Sequence, residues 1–143
     1  MKIPFNKPHL TGKELKYIEA AIQSGKIAGG GIFTKKCQAF FQEKYGFRKV
    51  LLTTTATAAL EMAAILVNIQ PGDEVIAPSY THVSTVNPFV LRGAKIVFAD
   101  CLAEVPNIDI AQVESLLTPR TKAIVPMHYA GIACDMQPLM DLA

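Results

Sequence analysis

The sequence predicts an α/β chain, a parallel sheet with helices on both faces. Three observations lead there. From Lys49 onward, short apolar runs rich in β-branched residues alternate with runs of helical period. The strand bodies are apolar, while the residues that follow them (TTTAT, PSYTH, AD and MHYAG) are polar or aromatic. That is the distribution of a sheet buried on both faces whose ligands sit beyond the carboxyl ends of the strands. Finally, Leu51–Val67 begins as an apolar run and turns into a helix through Thr53, Thr54, Thr55, Ala56 and Thr57.

The elements follow in order. Residues 1–10 carry two prolines and read as an extended arm. Thr11 and Glu14 have capping-box spacing, and Leu15, Ile18 and Ile22 form one apolar face of a helix running to about Ser24, stopped by Gly25. Gly29, Gly30 and Gly31 follow; because they trail a helix rather than a strand, with the wrong spacing, they are no dinucleotide fingerprint. They read as a mobile loop, either facing a substrate or simply connecting. A second helix is expected from Thr34, with Cys37, Phe40, Phe41 and Tyr45 on one side and Gly46 as its stop. Strands are expected at Val50–Thr53, Glu74–Ala77, Lys95–Ala99 and Lys122–Met127. Helices are expected at Thr57–Asn68, at Ser84–Arg92 with Pro88 in its first turn, after Asp109, and after Asp135. The last residues, QPLMDLA, read as mid-helix, so the chain is expected to be the front part of something longer.

Bulk properties narrow the function. The chain has 143 residues, half of them hydrophobic, enough for a core. Its formal net charge of +2 gives no argument for nucleic acid or an anionic membrane. No run is long enough to span a bilayer, and the N-terminus has no signal core. The three cysteines, Cys37, Cys101 and Cys134, have neither metal-ligand nor disulfide-framework spacing. They are expected to be small buried hydrophobes in a reducing cytoplasm.

The chemistry concentrates at Leu51–Val67. The first N–H groups of a helix lack internal partners, and the helix dipole favours negative charge there. Small hydroxyl residues at that point suit a phosphate, with Thr55 or Thr57 adding a donor. The same residues also suit an ordinary threonine cap on a buried helix.

Taken together, the segments SGKIAGGGIFTKKC, LLTTTATAALEMAA, QPGDEVIAPSYTHVSTVNPFVLRGAKIVFAD, NID and TKAIVPMHYAG resemble the DegT/DnrJ/EryC1/StrS family of sugar aminotransferases. The resemblance covers nearly the whole chain in order. It implies the front part of a fold-type I large domain that uses pyridoxal 5′-phosphate (PLP). Residues 1–48 would form the arm, two helices and the Gly-rich loop, and residues 49–143 an incomplete PLP-binding α/β domain. By the resemblance, Thr55, Ala56 and Thr57 hold the PLP phosphate. His82 takes the place of the aromatic residue that stacks on the pyridine ring, although a cap or loop histidine is the plainer reading. His128 and Tyr129 fall in the family's His-x-x-Gly loop beside the site, where a simple packing role serves equally well. The pyridine-nitrogen acid and the cofactor-linking lysine of the family lie beyond the matched region. The implied partners are a nucleotide-sugar substrate, an amino-acid donor and a second copy in a homodimer. Two other readings stand beside transamination: a PLP-dependent sugar dehydratase of the same family, and a non-catalytic α/β module for a phosphorylated ligand.

Overall fold

The structure is a computed structural model that describes residues 2–4 and 6–143. Met1 and Phe5, within the predicted arm, lie outside the described residues. The chain divides into two compact units, Met1–Leu52 and Thr53–Ala143.

The first unit holds α1 (Glu14–Gln23) and α2 (Ile32–Tyr45). The predicted capping box forms by half. Glu14 Oε1 accepts from the Thr11 N–H at 2.6 Å and its hydroxyl at 2.9 Å, but Lys13 occupies the N-cap position. Helix α2 begins two residues before the expected Thr34 and ends on Gly46, whose φ of 71° closes it in the left-handed conformation. Phe40, Phe41, Tyr45 and Phe47 form a chain of stacked and edge-on ring contacts. Cys37 is exposed rather than buried, because α2 has no buried residue.

The second unit holds α3 (Ala56–Leu66), β1 (Glu74–Pro78), α4 (Asn87–Val90), β2 (Lys95–Ala99), α5 (Ile110–Leu116), β3 (Thr121–Ile124) and α6 (Met136–Leu142). The three strands form a parallel sheet in the order β2-β1-β3. Residues of β1 alternate between two cores. Ile76 packs with Ala99, Ile108, Val113, Cys134 and Leu139 on the α5 and α6 side. Val75 packs with Ala64, Ile69, Phe89 and Ala94 on the α3 and α4 side. All five residues of β1 are buried, as a central strand covered twice requires.

Three expectations need correction. The strand expected at Lys122–Met127 is β3, Thr121–Ile124, which ends short of Pro126, a residue with no N–H for the ladder. Val50–Thr53 forms no strand: apolar character specifies a strand only where a neighbour supplies the ladder, and Leu51 and Leu52 stay 67% and 46% exposed. The segment from Ser84 to Arg92 is not one helix. Pro88 has no N–H to return to the preceding turn, so the chain makes a 3₁₀ turn, Val83–Thr85, and restarts as α4 with Pro88 in its first turn. Asp109 caps α5 as expected, accepting from the Ala111 N–H at 3.0 Å. Asp135 occupies the N-cap of α6 without a side-chain bond. Gly93, which follows α4 with φ +86°, lies against Pro71, where a Cβ would come within 3.0 Å of the ring.

At the amino edge of the sheet, Glu74 is only 2% exposed. Its carboxylate accepts from the Thr118 hydroxyl at 2.6 Å and from Arg120 at 2.8 Å, with Lys95 Nζ at 3.6 Å. The Thr118 and Arg120 hydrogen bonds outweigh desolvation and hold its pKa down at about 2. Among the described residues, no helix is long and apolar enough to cross a membrane.

Candidate functional site

The carboxyl edge of the sheet gathers the polar strand-end residues. Ala64, late in α3, packs with Val75 near the start of β1, so the N-terminus of α3 points toward this edge. The helix also packs against the Val83–Thr85 turn. Thr55 is the N-cap; its hydroxyl oxygen accepts from the Ala58 N–H at 3.0 Å and its carbonyl from the Ala59 N–H. The Thr53 hydroxyl donates to the Thr55 carbonyl at 2.9 Å and steadies the turn. The backbone N–H groups of Ala56 and Thr57 and the Thr57 hydroxyl have no partner among the described residues. The threonine cap and the open anion site therefore coexist. Thr55 satisfies one orphan donor, and two others stay open on an eleven-residue helix with its positive dipole end outward.

His82 stands beyond β1, exposed, as N-cap of the 3₁₀ turn. Its Nδ1 accepts from the Ser84 N–H at 3.2 Å and lies 2.7 Å from the Ser84 hydroxyl. The imidazole is thus fixed through one nitrogen, while its other nitrogen has no partner among the described residues. His128 is likewise engaged, its Nδ1 accepting from the Cys134 N–H at 3.0 Å, which closes its own loop.

Two residues meet that the sequence treated separately. Tyr80, after β1, and Tyr129, after β3, bring their hydroxyls to 3.3 Å and their ring centroids to 5.1 Å. The shared hydrogen bond and the adjacent phenol raise the pKa of Tyr129, so its hydroxyl stays protonated at neutral pH. On the other side of β1, Ser79 donates to Asp100 Oδ1 at 3.2 Å, after β2. Asn107 was quoted in the sequence only as part of NID. It is 3% exposed; its Oδ1 accepts from the Tyr129 N–H at 3.1 Å, and its Nδ2 donates to the Ile132 carbonyl at 3.0 Å. A buried amide with both ends satisfied by one distant loop is a clamp.

The arrangement offers open backbone donors for an anion, a fixed imidazole, and a row of neutral and acidic hydrogen-bonding groups along one sheet edge. Known proteins share this framework. GDP-perosamine synthase of Caulobacter vibrioides is 35% identical over 142 residues, which is 99% of this chain and 38% of that protein. A Streptococcus pneumoniae protein classed as a sugar aminotransferase superimposes with a TM-score of 0.90 in its PMP form and in its PLP form, at 32% identity, covering 99% of this chain and 35–36% of that one. 3-Amino-5-hydroxybenzoic acid synthase superimposes with a TM-score of 0.88 at 32% identity, covering 99% and 37%. This chain thus spans little more than a third of the relatives it matches. The model of the DegT/DnrJ/EryC1/StrS aminotransferase family matches residues 8–143, from the arm through α6, and with a parallel sheet and helices superimposing on aminotransferases over nearly the whole chain, the protein belongs to that family.

Proposed function

We propose that this chain carries the phosphate-binding part of a PLP-dependent aminotransferase. The activity would move an amino group, from glutamate, to a nucleotide-linked 4-keto-6-deoxy sugar such as dTDP-4-keto-6-deoxyglucose, for cell-surface polysaccharide. The carrying observation is the N-terminus of α3, where the N–H groups of Ala56 and Thr57 are open beside two threonine hydroxyls. These donors suit a phosphate and need no cationic side chain. Thr55, Ala56 and Thr57 would hold the cofactor phosphate, and the flat ring of His82 would lie against the pyridine. Bound there, PLP supplies an electron sink for amino transfer. The most specific form of this reading is a dTDP-4-amino-4,6-dideoxygalactose transaminase of the enterobacterial common antigen pathway, working as a cytoplasmic homodimer.

The second unit has two lysines: Lys95 opens β2 and Lys122 is the second residue of β3, both toward the amino edge and away from these donors. The 143 residues should therefore bind PLP weakly, without a covalent link, and transfer no amino group. Titration with PLP followed by borohydride reduction tests this. The expected result is perturbation of the Thr55–Thr57 amides and no stoichiometric lysine adduct. An adduct at one lysine, or amides that ignore PLP, would overturn it. Sedimentation of the full-length protein, showing an active monomer, would remove the homodimer.

A further inference from the structure

The Tyr80–Tyr129 pair belongs neither to the phosphate donors nor to the ring-stacking position. We propose that these two hydroxyls form a recognition element for a vicinal diol, the neutral sugar ring of the substrate, and that Asn107 positions it. The inference rests on the reading of the site as one for a nucleotide-linked sugar, and assigns the sugar end of it.

The chemistry follows from counting protons. At 3.3 Å, one phenol donates to the other. The pair then shows the outside one free proton and lone pairs on both oxygens. A phosphate or carboxylate asks for donors only, and this pair offers one. Along the same edge, the Asp100 carboxylate, hydrogen-bonded to Ser79 beside Tyr80, repels anions further. A diol matches the pair, because each of its hydroxyls both donates and accepts. The two rings, tilted by 55°, add apolar surface for the C–H face of a sugar. Tyr80 is 55% exposed, so its ring is open to a ligand.

The pair is also held. Tyr129 sits on a 3₁₀ turn next to Ala130, whose φ of 51° is unusual for a residue with a side chain. Asn107 grips this turn by the Tyr129 N–H and by the Ile132 carbonyl. Asn107 is anchored in turn, since the Leu102 N–H donates to its carbonyl and Cys101 bridges to Ile108. Asn107 touches no ligand in this scheme; it sets where the Tyr129 hydroxyl stands.

The test compares dTDP-glucose with dTDP, and GDP-mannose with GDP, by NMR titration of the chain and its Tyr80→Phe, Tyr129→Phe and Asn107→Ser variants. The sugar should strengthen binding over the bare nucleotide in the wild type. Each phenylalanine variant should lose about tenfold of that increment, with PLP perturbation of Thr55–Thr57 unchanged. Asn107→Ser should shift the Tyr129 and Ile132 signals and lose a similar share. Wild-type sugar increments in both phenylalanine variants would overturn the proposal while leaving the aminotransferase reading intact. A wild type that responds to no nucleotide sugar and no PLP would overturn both.

Discussion

At Thr57, one hydroxyl and one backbone N–H stand open on the first turn of α3. Thr57→Ala removes the hydroxyl and leaves the helix and the Thr55 cap in place. A hydrogen bond to a charged phosphate contributes about 1.5–3 kcal/mol. The PLP dissociation constant of the chain should therefore rise by more than tenfold, read from amide shifts at the N-terminus of α3. An unchanged constant would take Thr57 out of the site. The open donors of α3 were half legible from sequence, because a run of small hydroxyl residues entering a helix suits an anion and an ordinary threonine cap alike. The cap role of His82 was among the readings that the sequence offered. Its imidazole accepts from the Ser84 N–H and so caps the Val83–Thr85 turn. Tyr80 and Tyr129 lie 49 positions apart, and no local pattern announces that two strand ends are neighbours.

Among the elements, the amino ends of the three strands share one buried carboxylate. Glu74 opens β1, Lys95 opens β2, and Thr118 and Arg120 lead into β3. Because the folded pKa of Glu74 lies at about 2, below its ordinary 4.5, the folded state favours the ionised form. The stabilisation is complete above the unfolded value and is lost as pH falls from about 4.5 through about 2. Urea midpoints should fall across that window in the wild type and fall less in Glu74→Gln; equal acid sensitivity of the two would exclude Glu74 as the source. Strands β1 and β2 were readable to within a residue, because they are apolar runs bounded by Gly72 and Gly93, each at positive φ. Val50–Thr53 carried the same signal and forms no ladder, since pairing is decided by a neighbour that composition does not reveal. The split of the Ser84–Arg92 segment was written in Pro88, whose absent N–H counts for more than the apolar period around it.

For the molecule as a whole, alternation of strands and helices predicted a parallel sheet but not its order. With β1 in the centre, the chain leaves to one side for β2 and returns across to the other for β3. That order also has a history in time. The partners of β1 lie roughly 20 residues on in β2 and roughly 50 on in β3, so closing the second loop costs about 0.7 kcal/mol more entropy than the first. Refolding should therefore join β1 to β2 before β3 arrives, as local contacts form before distant ones. Pulse-labelled hydrogen exchange during refolding should show the Lys95 and Ser79 amides, bonded across β1 and β2, protected ahead of Glu74 and Val125, bonded across β1 and β3. Simultaneous protection of all four would mean that the sheet condenses in one step. If the order holds, the edge that carries Ser79 and Asp100 is complete while Tyr80 still waits for Tyr129, and the site is assembled from one side to the other as the chain folds.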